Sequence, residues 1–417
     1  MPVRYTPPTA ESLLPVQGIA LGPAAGRIKN WQRDDVLLVT CTEGTLAAGV
    51  FTQNRFAAAP VAICRDHLAY QHRTGASLRA LVVNAGNANA GTGQPGLAAA
   101  RATCSAVADL VGCAGEEVLP FSTGVIMEAL PVERIVAALP SAQAALREDG
   151  WFAAAQAIMT TDTVPKGASR RISVEGVPIT VTGIAKGSGM IHPDMATMLA
   201  FVATDAPIAA DVLSGLTREI ADVSFNCATV DGDTSTNDSF IVMATGQVPL
   251  TPLRSTSDPR LPAVRDAISE VAVELAQAIV RDGEGATKFI VIRVVGGRSV
   301  EECRRVGFGI AHSPLVKTAF FASDPNLGRI VCAIGNSTPA DFDASRVSFW
   351  LDDVLVVERG GRALSYREED GKRVMQSSEI TIRVDLGRAH GAQEATATVW
   401  TCDFSHDYVS INADYRS

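Results

Sequence analysis

The chain has 417 residues, 47% of them hydrophobic and 19% charged, with a formal charge of −9 at pH 7. That length exceeds one ordinary core and predicts two or three domains. The acidic balance argues against a nucleic-acid partner, which needs a net basic face. No apolar run reaches the roughly 18 residues that span a bilayer. The N-terminus "MPVRYTPPTAESLLPVQG" lacks the charged start and long apolar stretch of a signal peptide, so a cytoplasmic location is expected. The eight cysteines include no CxxC pair and the six histidines no HxH or HExxH pair. Neither a metal site nor a disulfide framework is expected.

In chain order, "ALVVNAGNANAGTG" (80–93) predicts a strand running into an Asn/Gly loop, and "PGLAAARATCSAVADLVG" (95–112) a helix behind it. "VERIVAALPSAQAAL" (132–146) and "WFAAAQAIM" (151–159) have helical spacing, the first interrupted at Pro140. "RISVEGVPITVTGIA" (171–185) alternates apolar and polar residues about Glu175-Gly176, as a hairpin does. "TMLAFVAT" (197–204) is a fully apolar strand candidate. Two helical patterns, 209–225 and 262–282, are separated by the strands "SFIVMAT" (239–245) and "KFIVIRVVG" (288–296) from what surrounds them. The last seventy residues differ. Strands at 347–360, 378–387 and 394–405 follow one another through turns and predict a small antiparallel sheet packed by one or two helices. The coarse expectation is mixed α/β with antiparallel sheets.

The chemistry concentrates at "KGSGMIHPDMATMLAF" (186–201), where a glycine-rich lead-in meets Ala196-Thr197 and then an apolar strand. A threonine hydroxyl is a poor nucleophile unless a base sits beside it. Its own α-amine, freed by cutting the bond before it, titrates near 7.7–8.0 and suits that task. Ala196 is small enough to let the Thr197 hydroxyl approach the preceding carbonyl, "GSG" lets the lead-in bend, and a buried strand would hold the new N-terminus rigidly. Taken alone, a Thr at a strand start is equally an ordinary β-branched residue. The "KGSG" stretch lacks the spacing of a phosphate loop. The acidic "VDGDTSTND" (230–238) lacks the spacing and final Glu of a calcium loop; it is expected to order a turn through Asx hydrogen bonds. His192, five residues before Thr197, is expected to be loop structure.

The segment closely resembles the processing and nucleophile region of the ArgJ-type ornithine acetyltransferases, the glutamate N-acetyltransferases of the cyclic arginine pathway. The resemblance runs through "GVFTQNRFAAAPV" (49–61), "VVNAGNANAGTG" (82–93), "STGVIME" (122–128) and "AIMTTDTVPK" (157–166). It continues in "VDGDTSTNDS" (230–239), "RDGEGATKF" (281–289), "VKTAFFASDPNLGRI" (316–330) and the terminal "YVSINADYRS".

The resemblance implies an α+β fold, a four-layer α/β/β/α sandwich of the DmpA/ArgJ-like type with a smaller C-terminal α/β domain from about 290. It implies a cut between Ala196 and Thr197 into an α chain (1–196) and a β chain (197–417), assembled as an α2β2 heterotetramer or larger. Thr197 is then the nucleophile of a ping-pong transfer of acetyl from N-acetylornithine to glutamate. Thr123 and Gly124 match the oxyanion-hole positions. Thr160, Lys186, Thr197, Glu284, Asn412 and Ser417 match substrate-binding positions; the residues themselves leave open whether Thr160 or Thr161 faces substrate. Lys186 offers a compact positive charge for a carboxylate. Glu284, between two glycines, can approach a ligand closely and accept from an ammonium group. Ser417 stands where relatives often have Thr and keeps the hydroxyl. No metal or organic cofactor is implied, and members with and without acetyl-CoA as a second acetyl donor share these motifs. The competing expectations are an N-terminal-nucleophile aminopeptidase or amidase of the same fold, and a non-catalytic anion-binding protein using the "KGSG" loop.

Overall fold

A computed structural model describes residues 2–192, 198–389 and 394–413, and divides the chain into two compact units. The larger comprises Thr6–Asn226 and Asp233–Ile279, the smaller Met1–Tyr5, Cys227–Gly232 and Val280–Ser417.

The larger unit contains two sheets. The first has the order β1 (Ile19–Ala24), β2 (Val36–Cys41), β4 (Ala80–Asn87), β5 (Val118–Val125). The second has the order β3 (Leu46–Phe51), β9 (Ser239–Ala244), β8 (Leu199–Thr204), β7 (Val177–Lys186), β6 (Lys166–Val174). Strict alternation decides which side chain goes where. In β2 and β4, Leu37, Val39, Leu81 and Val83 enter the core shared with the second sheet. Val36, Leu38, Ala80 and Val82 enter a separate core under helices α1 (Ala59–Thr74), α2 (Gly93–Val111) and α3 (Val132–Ala144). The short helix α4 (Trp151–Ala157) adds Trp151 to the inter-sheet core. There, Phe121 of β5 meets Phe201 of β8 edge-on, with centroids 4.9 Å apart. The far face of the second sheet is covered by α5 (Ala210–Val223) and α6 (Leu261–Arg281); Gly183 of β7 lies directly beneath Val271 and Leu275 of α6. The result is an α/β/β/α sandwich within an α+β protein.

In the smaller unit, six strands run β13 (Gly361–Arg362), β12 (Val354–Glu358), β11 (Ser348–Leu351), β14 (Glu379–Asp385), β10 (Phe289–Gly297), β15 (Ala395–Cys402). Helices α7 (Val300–Ala311), α8 (Pro314–Phe321), α9 (Gly328–Ser337) and α10 (Glu368–Met375) supply the apolar residues that close its core. A last helix, α11, spans His406–Ala413.

Three expectations are corrected. Helix α3 passes through Pro140 unbroken. Pro140 and Val136 lie on the solvent side, where the carbonyl deprived of its partner can be hydrated. The sheets are not purely antiparallel: β4–β5, β8–β9 and β10–β14 are parallel pairs. Each is joined by a helical crossover, the connection a parallel pair requires. The C-terminal sheet is accordingly larger than its own last seventy residues, because β10 enters it between β14 and β15, and more than two helices cover it. The hairpin about Glu175-Gly176 forms as expected, with φ of 52° and 80° at the two turn residues and Val174 opposite Val177. Among the described residues no helix is long and apolar enough to cross a membrane.

Replacing Phe201 by Ala removes a ring from the inter-sheet core. We predict a loss of about 3–5 kcal/mol, read as a lower denaturant midpoint at unchanged m-value.

Candidate functional site

The ends of β4 and β5 lie side by side, with Ala85 opposite Thr123 and Gly86 opposite Gly124 before the register shifts at Asn87. The asparagines of "VVNAGNANAG" satisfy this buried end internally. Ser122 Oγ donates to Asn84 Oδ1 (2.6 Å), Asn84 Nδ2 donates to the Asn87 carbonyl (2.9 Å), and Asn87 Nδ2 donates to the Ala129 carbonyl (3.0 Å). Gly124 has φ of +133°, and a β-carbon there would sit 2.2 Å from the Gly86 carbonyl carbon. Only glycine fits. Thr123 is 4% exposed, and its hydroxyl has no hydrogen-bond partner among the described residues.

The ends of β7 and β8 form the second element. Lys186 is opposite Leu199 and only 3% exposed, so it is a buried strand-end cation and not a solvated loop charge. Beside it sits a feature the sequence reading missed. Asp162 and Lys166, both fully buried, form an ion pair at 2.7 Å. Asp162 Oδ1 also accepts from the Gly187 amide (2.7 Å), and Oδ2 from the Thr160 amide (3.0 Å). Burial alone would raise the Asp162 pKa; the charges of Lys166 and Lys186 and the Gly187 amide outweigh it and hold the carboxyl well below the usual range. The neighbouring Thr161 hydroxyl is engaged with Ser188 Oγ at 2.7 Å.

Residues 235–238 connect these two elements. Asn237 Nδ2 donates to the Ser122 carbonyl (2.8 Å) and to the Ala88 carbonyl (2.6 Å). The next residue, Asp238, accepts the Met198 amide on Oδ1 at 3.0 Å. One dipeptide therefore grips the neighbour of Thr123 with one side chain and the neighbour of Thr197 with the other. The turn was expected to be ordered by Asx hydrogen bonds; inside it Thr236 Oγ1 donates to Asn237 Oδ1 at 2.6 Å, and the Asn237 amide donates to Ser235 Oγ at 3.1 Å. His192 lies in a loop, its Nδ1 3.2 Å from Thr234 Oγ1.

In the smaller unit, Glu284 follows α6 in a turn, and its Oε2 accepts from Asn412 Nδ2 at 2.8 Å. The adjacent Gly285 has a reason other than ligand approach: a β-carbon there would stand 2.5 Å from the Tyr408 amide nitrogen of α11. The predicted residues Ala196, Thr197 and Ser417 lie outside the described residues. Among the described residues no group of three or more His, Cys, Asp or Glu side chains is gathered as for a metal ion.

A sequence model of the ArgJ family matches residues 20–417. The chain belongs to the ArgJ family. Among solved structures it is similar to the arginine biosynthesis bifunctional protein ArgJ of Bacillus halodurans: 36% identity, 51% of this chain and 97% of that one, TM-score 0.48. It is also similar to the ornithine acetyltransferase of Mycobacterium tuberculosis, solved with ornithine: 29% identity, 46% and 99% covered, TM-score 0.37. A third similar structure is the L-aminopeptidase D-Ala-esterase/amidase of Ochrobactrum anthropi: 14% identity, 68% and 89% covered, TM-score 0.41. Asp162, Lys166, Asn237 and Asp238 were legible only as polar residues beside apolar strands, since nothing in their spacing announces burial.

Asp162→Asn removes the carboxylate that the buried Lys166 faces at 2.7 Å, and we predict a loss of roughly 3–5 kcal/mol near pH 7. Because the native carboxyl titrates below its unfolded value of about 3.9, its contribution is complete above that pH and fades as pH falls beneath it. Urea titrations should therefore find the gap between wild type and variant widest at neutral pH and closing below about pH 4.

Proposed function

We propose that the chain is a self-cleaving acetyltransferase of arginine biosynthesis that moves acetyl from N2-acetyl-L-ornithine to L-glutamate through acetyl-Thr197. The observation that carries this reading is the ArgJ family match over residues 20–417.

In the cleavage step, Thr197 Oγ attacks the Ala196 carbonyl, the peptide C–N bond breaks, and water hydrolyses the resulting ester. This leaves Thr197 with a free α-amine. In the first transfer step, Oγ attacks the acetyl carbonyl of acetylornithine while its proton passes to the α-amine. The amide C–N bond then breaks, and that proton goes to the departing ornithine nitrogen. In the second, the glutamate amine attacks the acetyl ester, and its proton returns by way of the α-amine to Oγ.

The fixed geometry supports these roles. Gly124, with its unusual backbone angle, and the Thr123 hydroxyl, without a hydrogen-bond partner among the described residues, are suited to donate to the developing oxyanion. The buried Lys186 is suited to a substrate carboxylate. Thr160 is favoured over Thr161 as the substrate contact because the Thr161 hydroxyl is occupied by Ser188. Glu284 with Asn412, together with Ser417, completes the proposed substrate contacts. We extend the reading to acetyl-CoA as a second acetyl donor to the same threonine, to an α2β2 assembly of the two chains, and to a cytoplasmic setting.

A denaturing gel with N-terminal sequencing tests the reading. Active protein should give two bands, one beginning Thr-Met-Leu, and mass spectrometry after acetylornithine should find one acetyl group on that peptide. A single uncut band with full activity contradicts it. Thr123→Val should lower kcat by about 10²–10³-fold with the cut fraction measured separately.

A further inference from the structure

Between helix α3 and the loop that joins β1 to β2 lies a cavity of about 680 Å³ for which the cycle above has no use. Arg27, Lys29 and Arg134 line it, and among the described residues no Asp or Glu does. On a chain of net charge −9, cations gathered around a concave wall concentrate a local positive potential. The Arg27 guanidinium has no hydrogen-bond partner among the described residues. Arg134 commits Nη1 to the Arg27 carbonyl at 2.6 Å and keeps its other N–H groups for an occupant. Lys29 pairs with Glu128 at 2.7 Å, and that carboxylate stands outside the lining.

The loop that carries these cations is fixed in place. Asp35, fully buried, accepts the Gly26 and Arg27 amides on Oδ1 (2.6 and 3.1 Å) and the Ile28 amide on Oδ2 (2.6 Å). Arg27 is thereby held at φ of 53°, a left-handed conformation that costs a residue with a side chain. Further on, Arg33 donates to the Gln156 and Met159 carbonyls and stacks its guanidinium 4.2 Å from the centroid of Trp31. Arg33 does not line the cavity and Trp31 does, so the indole is braced from behind and meets the cavity elsewhere. The same loop touches the candidate site. A β-carbon on Gly86 would meet Lys29 Cγ at 2.9 Å and Trp31 Cζ3 at 3.5 Å, and Gly86 is the β4 partner of Gly124.

We propose that this cavity binds a nucleotide, with Arg27, Lys29 and Arg134 on the phosphates and Trp31 stacked on the base. Guanidinium forks match phosphate oxygens, and an indole is a stacking platform that any base can use. A small carboxylate would leave the indole idle, and an apolar occupant would take water from the cations without replacing it. Two sources carry this chemistry: a free nucleotide, or the nucleotide end of a thioester acyl donor. Contact through Gly86 sets the cavity beside the candidate oxyanion position, where the acyl end of such a donor belongs. Between Gly124 and Glu128, the exposed Met127 offers an apolar surface for a connecting arm. The donor source rests on the reading of acetyl-CoA as a second donor; the cavity itself does not.

Calorimetric titration of the full-length protein with ADP, coenzyme A and inorganic pyrophosphate tests this. The proposal predicts a single site for each probe, with affinity that falls as salt rises. Arg27→Gln should weaken every probe by about 10-fold, the effect of one charge-assisted hydrogen bond. Trp31→Leu should weaken ADP and coenzyme A by about 10-fold and leave pyrophosphate unchanged, a split that a misfolded loop would not give. Arg27→Gly, which relaxes the left-handed backbone, should repeat the Gln result and so excludes backbone strain as its cause. No binding of any probe to the wild type, or binding that both the Gln and Leu variants leave unchanged, overturns the proposal. Kinetics then identify the source. If acetyl-CoA acetylates glutamate and Arg27→Gln raises its KM by about 10-fold, the occupant is the donor. An unchanged KM, or no acetylglutamate at all, makes the occupant a free nucleotide. In the second case the reading of acetyl-CoA as donor falls while the site stands.

Discussion

Polar groups cannot be left unsatisfied in the dry seam between two β-sheets, and the candidate site is built from the way this chain meets that constraint. Lys186, Asp162, Lys166, Asn237 and Asp238 are all buried where the strands of the larger unit end. Each is held by backbone amides, carbonyls or an opposite charge. Asp162 ties the Thr160 amide to the Gly187 amide, and Asn237 ties β5 to the chain leaving β4. Segments distant in sequence are thereby fixed to within a hydrogen bond of one another. Such a network gives one arrangement and little freedom, which is what pre-organised chemistry needs.

The sandwich explains why these strand ends carry the site. Both faces of each sheet are buried, so the strands themselves have little room for polar side chains. The candidate site gathers where the ladders stop: Gly124 at the end of β5, Lys186 at the end of β7, Met198 just before β8. Parallel pairing of β4 with β5 and of β8 with β9 brings matching ends to the same edge of each sheet. An antiparallel arrangement would have put half of them at the other edge.

The sequence was most legible where periodicity alone decides structure. The β6–β7 hairpin, the long helices α2, α5 and α6, and the apolar strands β8 and β9 fell where alternation and helical spacing put them. Family motifs marked Thr123, Gly124, Thr160, Lys186 and Glu284, whose local patterns resemble turns and surface charges. Three kinds of information were absent. Strand direction depends on which crossover packs, so the parallel β10–β14 pair could not be read from its apolar residues. Burial of a charge depends on a partner elsewhere in space, so neither the burial of Lys186 nor the Asp162–Lys166 pair could be read from spacing. Pro140 looked like a helix stop because its sequence does not reveal that its orphaned carbonyl faces water.

The central claim is that acetyl rests on Thr197 between the two substrates. The most direct measurement is isotope exchange. Unlabelled acetylornithine is mixed with labelled ornithine in the absence of glutamate, and label appearing in acetylornithine is followed. A covalent acetyl-threonine predicts exchange in the wild type and none in Thr197→Val. Exchange that requires glutamate, or that persists without the threonine hydroxyl, would contradict the account.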